Sequence, residues 1–327
     1  MKNVRTDLAV EARELYCKEK EEDKHGIKVS TKKIEDINIT TVDVLNEEGE
    51  EKIRKPKGTY ITLDIPKVTL YDSEDIEDIS KVLAGELTDI TNKIKLNESM
   101  TVLVVGLGNW NITPDALGPK VVDKLMVTRH LKKYIPDSID EGIRPVCAVA
   151  PGVLGITGME TGEIIRGIVQ NIKPDVVICV DALAARKMER VNSTIQIGDT
   201  GISPGSGVGN MRMEISQKTL GVPVIAIGVP TVVDAATMAN DTIDIVIEKM
   251  ESEVGKNSKF YSLLKTIDTE EKEELIHEVL NPYVGDLLVT PKEVDMIMET
   301  LSKIIASGIN ISLQPALELK DINNYIS

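Results

Sequence analysis

Two aspartates, Asp115 and Asp181, stand at positions where a carboxylate is suited to chemistry. Each follows a mostly apolar run typical of a buried parallel strand, at residues 102–105 before Asp115 and 175–180 before Asp181. A charged residue after such a strand is costly unless it faces a crevice or a partner. Because ligands of open α/β sheets bind at the carboxyl ends of strands, the pattern favours one cleft that holds both side chains.

A pair of carboxyl groups in one cleft is suited to acid–base hydrolysis. Two close carboxyl groups do not both ionise easily, so one of them holds a proton near neutral pH. The ionised group then takes a proton from water while the protonated group polarises a carbonyl. Two alternatives stay open: the pair is part of a ligand set for a divalent metal, or Asp115 is a loop residue and Asp181 a structural partner of Arg186.

The elements that must position these aspartates alternate along the chain between residues 101 and 250. Apolar runs predict strands at residues 102–105, 144–150, 175–180 and 222–228. Helical spacing begins at Pro119, a favoured first residue of a helix, and returns after the later strands. The sequence therefore predicts an α/β fold, a mainly parallel sheet with helices on both faces.

Further elements are predicted on either side of this core. Apolar and polar residues alternate between residues 27 and 65, which predicts an added N-terminal antiparallel β unit with a charged turn at 47–57. A helix is expected at residues 73–94, and C-terminal helices at 269–327. Thr231 and Thr290 each open a capping-box pattern, which predicts that helices begin there.

The composition excludes several classes of function. The chain has 327 residues, which fits one large domain or one domain with an appendage. Aromatic residues make up only 3%, which disfavours a base-stacking platform, and the net charge of −15 disfavours direct binding to nucleic acid. No apolar run reaches the roughly 18 residues of a membrane span, and the first residues lack a signal-peptide core, so no membrane association is expected.

The cysteines and histidines do not predict a metal or cofactor site. The three cysteines, at 17, 147 and 179, show no paired spacing, which indicates a reducing, cytoplasmic compartment. The three histidines, at 25, 130 and 277, lack the spacing of metal ligands. Gly106 and Gly108 follow a strand as in a dinucleotide-binding loop, but Asn111 replaces the third glycine, so the match is partial.

Long blocks around the two aspartates closely resemble the spore germination protease (GPR endopeptidase) family. The resemblance starts at Val4 and covers nearly the whole chain, and its blocks are residues 102–120, 150–161, 180–192, 199–234 and 275–295. It implies a hydrogenase-maturation-protease-like fold and an endopeptidase that initiates degradation of small acid-soluble spore proteins during spore germination. The family's proposed catalytic aspartates fall on Asp115 and Asp181, with an atypical aspartic mechanism and no cofactor.

The resemblance also implies a zymogen that autoprocesses, a homotetramer, and a cytoplasmic location in the forespore and spore core. Family substrates are cut after an acidic residue and before a hydrophobic residue and an alanine, a pattern that Asp7, Leu8 and Ala9 reproduce. We therefore expect autocleavage between Asp7 and Leu8, in an exposed polar leader. The expected division is a propeptide of residues 1–7 and one peptidase domain of residues 8–327, the latter comprising a β appendage (27–65), a central core (101–250) and C-terminal helices (269–327).

Two rival functions remain compatible with the sequence. One is a metal-dependent hydrolase or metal-sensing maturation protease on the same fold, in which Asp115 and Asp181 are ligands. The other is a non-catalytic binding protein for spore proteins, in which both aspartates are structural. Cleavage after exhaustive chelation distinguishes the first rival, and trapped but uncut substrate would favour the second.

Overall fold

One mixed β-sheet runs through the part of the chain that the computed structural model describes. The described residues are 6–16, 26–66, 72–139, 142–205, 212–235, 237–239, 242–243, 245–246, 249, 287–317 and 321–322. The strands are β1 (Ile27–Ile34), β2 (Ile37–Val44), β3 (Gly58–Asp64), β4 (Val102–Gly106), β5 (Val146–Val149), β6 (Val176–Ala185), β7 (Thr194–Gly198), β8 (Val224–Asp234) and β9 (Leu288–Val289). The labelled helices are α1 (Ala9–Tyr16), α2 (Glu47–Ile53), α3 (Ser73–Lys93), α4 (Leu117–Val122), α5 (Arg129–Tyr134), α6 (Leu154–Thr157), α7 (Thr161–Ile172), α8 (Gln217–Leu220) and α9 (Val294–Leu313).

The strand order shows an α/β fold whose sheet is mixed. The strands lie in the order β1-β2-β3-β7-β8-β6-β4-β5, and β9 pairs with β8. The four strands β5, β4, β6 and β8 are parallel, whereas the other pairs between described strands are antiparallel. The prediction of a mainly parallel sheet is thus wrong for the sheet as a whole. Residues 186–193, which join β6 to β7, are too few for the crossover that a parallel arrangement needs, so β7 runs antiparallel beside β8.

The N-terminal strands are antiparallel, and they continue the central sheet. β3 pairs with β7 from Tyr60 opposite Gly198 to Asp64 opposite Thr194. The segment predicted as a charged turn contains helix α2, because the Asn46 side chain accepts a hydrogen bond of 2.9 Å from the backbone N–H of Gly49 and caps the helix. The division of the chain into leader, appendage, core and C-terminal helices stays a prediction.

Helices cover both faces of the parallel strands, as the sequence predicts. Along β4, Val102 and Val104 belong to the core under α3, α4 and α9, whereas Leu103 and Val105 belong to the core under α7. This alternation follows from the two-residue period of a strand, and both sets are buried because both faces are covered. None of the helices within the described ranges is long and apolar enough to cross a membrane.

The observed boundaries of α3 agree with the predicted ones, whereas the helices predicted to begin at Thr231 and Thr290 do not begin there. Helix α3 begins after Asp72, whose carboxylate caps it, and ends within a residue of the predicted position. Strand β8 continues past Thr231, and the carboxylate of Asp234 accepts the N–H of Thr237 at 2.9 Å instead. Helix α9 begins after the predicted cap Thr290, whose hydroxyl donates to the carbonyl of Thr231 at 2.9 Å. The helix expected near residues 270–280 lies outside the described residues.

The parallel strands create a crevice between the carboxyl ends of β4 and β6. The connection from β4 to β5 carries α4 on one face, and the connection from β5 to β6 carries α7 on the other. Strands β5 and β6 therefore lie on opposite sides of β4, and such a reversal of strand order is the point where open α/β sheets bind ligands. The ladder between β4 and β6 ends at Gly106 and Val180, one residue before Asp181.

The first turn of α4 lies directly against the backbone at this crevice because residue 118 is glycine. A Cβ atom on Gly118 would lie 2.3 Å from the carbonyl oxygen of Leu107 and 2.5 Å from that of Val180. Real Cβ atoms do not approach backbone atoms so closely, so α4 would have to move away from β4 and β6. Gly118 thus fixes the position of the loop that carries Asp115.

We predict that Gly118→Ala lowers the free energy of unfolding by roughly 1–3 kcal/mol, because the added methyl group overpacks an immobile backbone. Gly167→Ala is the matched control: Gly167 is exposed on α7, and its added Cβ would meet no atom within 4 Å. That control should raise the free energy of unfolding by up to ~1 kcal/mol, since alanine is the better helix former. Urea denaturation measures both changes. Equal effects of the two substitutions would contradict the close approach of α4.

Candidate active site

Asp115 lies in a tightly folded loop between β4 and α4. The loop turns at Gly108, whose φ of +112° favours glycine and whose added Cβ would lie 2.0 Å from the carbonyl oxygen of Asp115. That carbonyl accepts the N–H of Asn109 at 3.0 Å. The hydroxyl of Thr113 donates to a carboxylate oxygen of Asp295 on α9 at 2.9 Å, which ties the loop to the far end of the chain. Asp115 is therefore held by contacts on both sides.

Asp181 is buried inside β6, although the sequence predicted that it ends the strand. Only 6% of the residue is exposed, and pairing with β8 continues through Ala185. On the other side of β6 the ladder with β4 has already ended, so Asp181 borders the crevice. The backbone N–H of Ala182 donates to its Oδ1 at 2.9 Å. Asp181 thus occupies the predicted place in the crevice on a more rigid element than a loop.

The electrostatics of the two aspartates are coupled, and each retains a proton at higher pH than an ordinary carboxyl group. Burial, the charge of Asp115 and the charge of Asp7 raise the pKa of Asp181 well above its usual value, against the hydrogen bond from Ala182. Burial raises the pKa of Asp115 to about 6, against a hydrogen bond from Asn109. This is the condition under which a carboxyl pair shares one proton near neutral pH.

A third carboxyl group, that of Asp7, reaches the site from the N-terminal segment. The N–H of Asp7 donates to the carbonyl of Ala184 at 3.1 Å, and the N–H of Ala184 donates to Oδ2 of Asp7 at 3.0 Å. Leu8 and Ala9, the next two residues, are 0% exposed. The expectation of an exposed leader around the cleavage pattern is therefore wrong, because the apolar residues after Asp7 are packed into the protein.

Helix α1 holds this segment in place through Glu11, which is 1% exposed. Its carboxylate accepts the backbone N–H groups of Arg186 at 2.8 Å and Lys187 at 2.9 Å, directly after β6. It also accepts the hydroxyl of Thr6. A buried carboxylate is tolerated when several donors satisfy it, and these donors fix the segment against the end of β6.

The peptide group that follows Asp7 is held by two side chains that sequence reasoning missed, Lys55 and Gln196. Lys55 Nζ donates to the carbonyl oxygen of Asp7 at 2.9 Å, and Gln196 Nε2 donates to the same oxygen at 3.2 Å. Gln196 Oε1 accepts the N–H of Ala9 at 2.6 Å. No spacing in the sequence connects these residues, because one follows α2 in a charged segment and the other lies in the short strand β7.

The described residues contain no group of three or more histidine, cysteine, aspartate or glutamate side chains arranged to hold a metal ion. His130 is exposed on α5, and Cys179 is buried in β6. His25, His277 and Cys17 lie outside the described residues. Within the described residues, Asp115 and Asp181 are therefore not part of a three-membered set of histidine, cysteine or acidic ligands.

Comparisons with known proteins point to one family. A family model described as germination protease matches residues 6–263 and 248–326. The chain is 83% identical over 327 residues to a germination protease of Clostridium acetobutylicum, with 100% of each chain covered. It is 61% identical to one of Clostridium tetani, covering 99% of this chain and 100% of that one. A germination protease of Bacillus mycoides is 44% identical, with 99% of this chain and 97% of that one covered.

We predict that Asp181→Asn stabilises the protein at neutral pH. The folded chain holds a proton on Asp181 that the unfolded chain releases above an ordinary carboxyl pKa of ~4, so wild-type stability falls as pH rises from there through the raised folded-state pKa. Asparagine does not titrate, so the variant's melting temperature should exceed that of the wild type at neutral pH and converge with it toward pH ~4. Calorimetry across this pH range measures the difference.

The matched control is Asp89→Asn, which changes an exposed aspartate on α3 and should follow the wild type at every pH. A melting-temperature difference for Asp181→Asn that stays constant with pH, or that grows toward acid, would contradict the raised pKa.

Proposed function

This chain belongs to the germination protease family, and we propose that it is the endopeptidase that initiates degradation of small acid-soluble spore proteins during germination. The membership is supported by a family model that matches nearly the whole chain and by relatives of that name. The proposed substrate class follows from the sequence resemblance. The cytoplasm of the forespore and spore core, a homotetrameric assembly and a relationship to the hydrogenase-maturation protease fold are further parts of the proposal.

The proposed mechanism is an atypical aspartic one that uses Asp115 and Asp181. One observation carries it: two carboxyl groups with raised pKa values border the β4–β6 crevice, and a peptide segment that matches the family's cleavage pattern reaches the same place. Asp181 is the more buried of the two and is the better holder of the shared proton. Asp115, with a pKa of about 6, is then the ionised group that takes a proton from the attacking water.

Self-cleavage between Asp7 and Leu8 is the proposed route to a mature form. It is supported by the contacts that hold Asp7 beside Asp181 and bury Leu8 and Ala9. A peptide bond that is already seated needs no bimolecular encounter, so its cleavage gains the advantage of an intramolecular reaction. In the uncut chain Asp7 lies beside Asp181, where the acidic residue of a substrate would have to bind, and this supports an inactive form before the cut.

The full-length chain, incubated at mildly acidic pH, should lose residues 1–7 and acquire a new N-terminus that begins at Leu8. Asp115→Asn and Asp181→Asn should each slow this cut by ~10²–10⁴-fold, because positioned acid–base groups typically contribute that much. At pH ~6 Asp181 holds its proton while part of Asp115 is still ionised, and at lower pH the rate should fall, because Asp115 is then protonated and no longer serves as the base. N-terminal sequencing and intact-mass measurement follow the product.

The matched control for these substitutions is Asp123→Asn, an exposed aspartate just after α4, which should mature at the wild-type rate. Maturation of a folded Asp115→Asn chain by itself, or a new terminus elsewhere, would refute the proposed chemistry. Loss of cleavage after exhaustive chelation would favour the metal-dependent rival instead.

The proposed homotetramer is tested separately. Closed symmetric assemblies are the usual form of homo-oligomers, so light scattering at micromolar concentration should report four copies of the chain. A monomer under these conditions would contradict this part of the proposal and leave the chemistry untouched.

A further inference from the structure

We propose that Lys55 and Gln196 are catalytic residues that bind the carbonyl oxygen of the residue before the cut bond and stabilise the negative charge that forms on it. The inference rests on the proposed self-cleavage at Asp7–Leu8, because it is the carbonyl of Asp7 that both side chains contact. It adds to the two aspartates a second part of the site, contributed by β7, where Gln196 lies across Gly228 of β8 from Asp181, and by the segment that follows α2.

The geometry of the two donors is that of an oxyanion site. Lys55 Nζ lies 2.9 Å and Gln196 Nε2 lies 3.2 Å from the carbonyl oxygen of Asp7. In such sites the donors lie roughly 2.7–3.1 Å from the position that the charged oxygen takes; in the uncut chain Lys55 is within that range of the carbonyl oxygen and Gln196 is just beyond it. Lys55 follows α2 and Gln196 lies in β7, so two separately anchored elements converge on one atom.

Gln196 also identifies the register of the bound segment. Its Nε2 donates to the carbonyl before the Asp7–Leu8 bond, and its Oε1 accepts the N–H of Ala9 beyond that bond. The amide side chain of Gln196 therefore forms hydrogen bonds with the backbone on both sides of the bond to be cut. These are backbone contacts that do not depend on the side chains of the leader, so a substrate segment with the same backbone conformation would be held in the same way.

The selectivity for an acidic residue before the cut follows from the neighbouring contacts. The N–H of Ala184 donates to the Asp7 carboxylate at 3.0 Å, and the positive charge of Lys55 is close by. Lys55 is half-buried as a whole, with its ammonium group directed inward at the leader's carbonyl groups. Burial lowers its pKa, whereas the charges of Asp7 and Glu11 act in the opposite direction and favour the ammonium form.

The donor pair changes the roles available to the aspartates. A water oxygen bonds to the carbonyl carbon of Asp7 as an ionised carboxylate takes one of its protons, and the carbonyl oxygen gains the negative charge that Lys55 and Gln196 stabilise. When that charge returns to form the new carboxyl group, the bond to the nitrogen of Leu8 breaks and this nitrogen receives the proton of the protonated carboxyl. The products are a new α-carboxyl group at Asp7, whose proton passes to the amine formed at Leu8, and one water is consumed. The protonated aspartate thus serves the leaving nitrogen, because the carbonyl oxygen already has its donors.

The test follows the first-order rate at which the full-length chain acquires the Leu8 terminus. Lys55→Met retains a long unbranched side chain without the ammonium group, and Gln196→Glu retains an acceptor for the N–H of Ala9 without the amide donor. Each should cut ~10²–10³-fold more slowly, the cost of removing one oxyanion donor. Lys57→Met is the matched control, because Lys57 is exposed two residues along the same segment, and it should cut at the parent rate.

A second measurement separates catalysis from seating of the leader. Hydrogen exchange at the amides of Ala9 and Ala12, whose N–H groups bind Gln196 and the carbonyl of Leu8, reports whether the segment stays in place. In an Asp115→Asn background, in which the chain should stay uncut, Lys55→Met should leave this protection unchanged. A parent-like cutting rate, or slow cutting accompanied by lost protection, would overturn the catalytic assignment.

The outcomes distinguish this inference from the function on which it rests. Normal cutting by Asp115→Asn and Asp181→Asn would refute the proposed function itself. If those two variants are inert while folded Lys55→Met and Gln196→Glu cut at the parent rate, only the donor pair is refuted. Should Lys55→Met fail to fold, the rate of Gln196→Glu decides the question alone.

Discussion

The arrangement of the site depends on one constraint, the burial of the Asp181 carboxyl group beside two other carboxyl groups. Burial and the charges of Asp115 and Asp7 all disfavour ionisation, so the folded protein must keep a proton there at pH values where an ordinary aspartate has lost it. The fold imposes this cost of burial because Asp181 lies within the central strand β6. The pairing of β6 with β8 continues beyond Asp181, so the strand cannot turn the residue toward solvent. Because β4 ends before Asp181, its carboxyl group borders the crevice and lies near the segment that contains Asp7.

The contacts that hold the segment around Asp7 are of kinds that could also hold a substrate. Backbone hydrogen bonds with Ala184, a buried Leu8 and the donors on the Asp7 carbonyl all act on features that any acidic–hydrophobic–alanine segment shares. Glu11 then adds contacts that a short substrate would lack, since it satisfies two N–H groups at the end of β6. Under the proposed function, residues 6–9 are a substrate-like segment held at the crevice of the same chain.

The sequence predicted the parts of this account that depend on local pattern. The apolar run before Asp115 and the helix expected at residues 73–94 follow from periodicity, and the positions of β4 and α3 are confirmed. The predicted end of β6 at Asp181 was wrong, because pairing with β8 continues the strand past this residue. The predicted start of α9 at Thr290 was also wrong, because the Thr290 hydroxyl binds the carbonyl of Thr231 and does not cap the helix. The donors Lys55 and Gln196 could not be predicted, since only the pairing of β3 with β7 brings their segments together.

The most direct test of the central claim is the concentration dependence of maturation. If the Asp7–Leu8 bond is cut in the crevice where its own chain holds it, intact-mass time courses of the full-length protein should give one first-order rate over a wide range of dilution. The product should be the chain that begins at Leu8. A rate that rises in proportion to protein concentration would show that one molecule cuts another, and would contradict a leader seated as the substrate of its own aspartates.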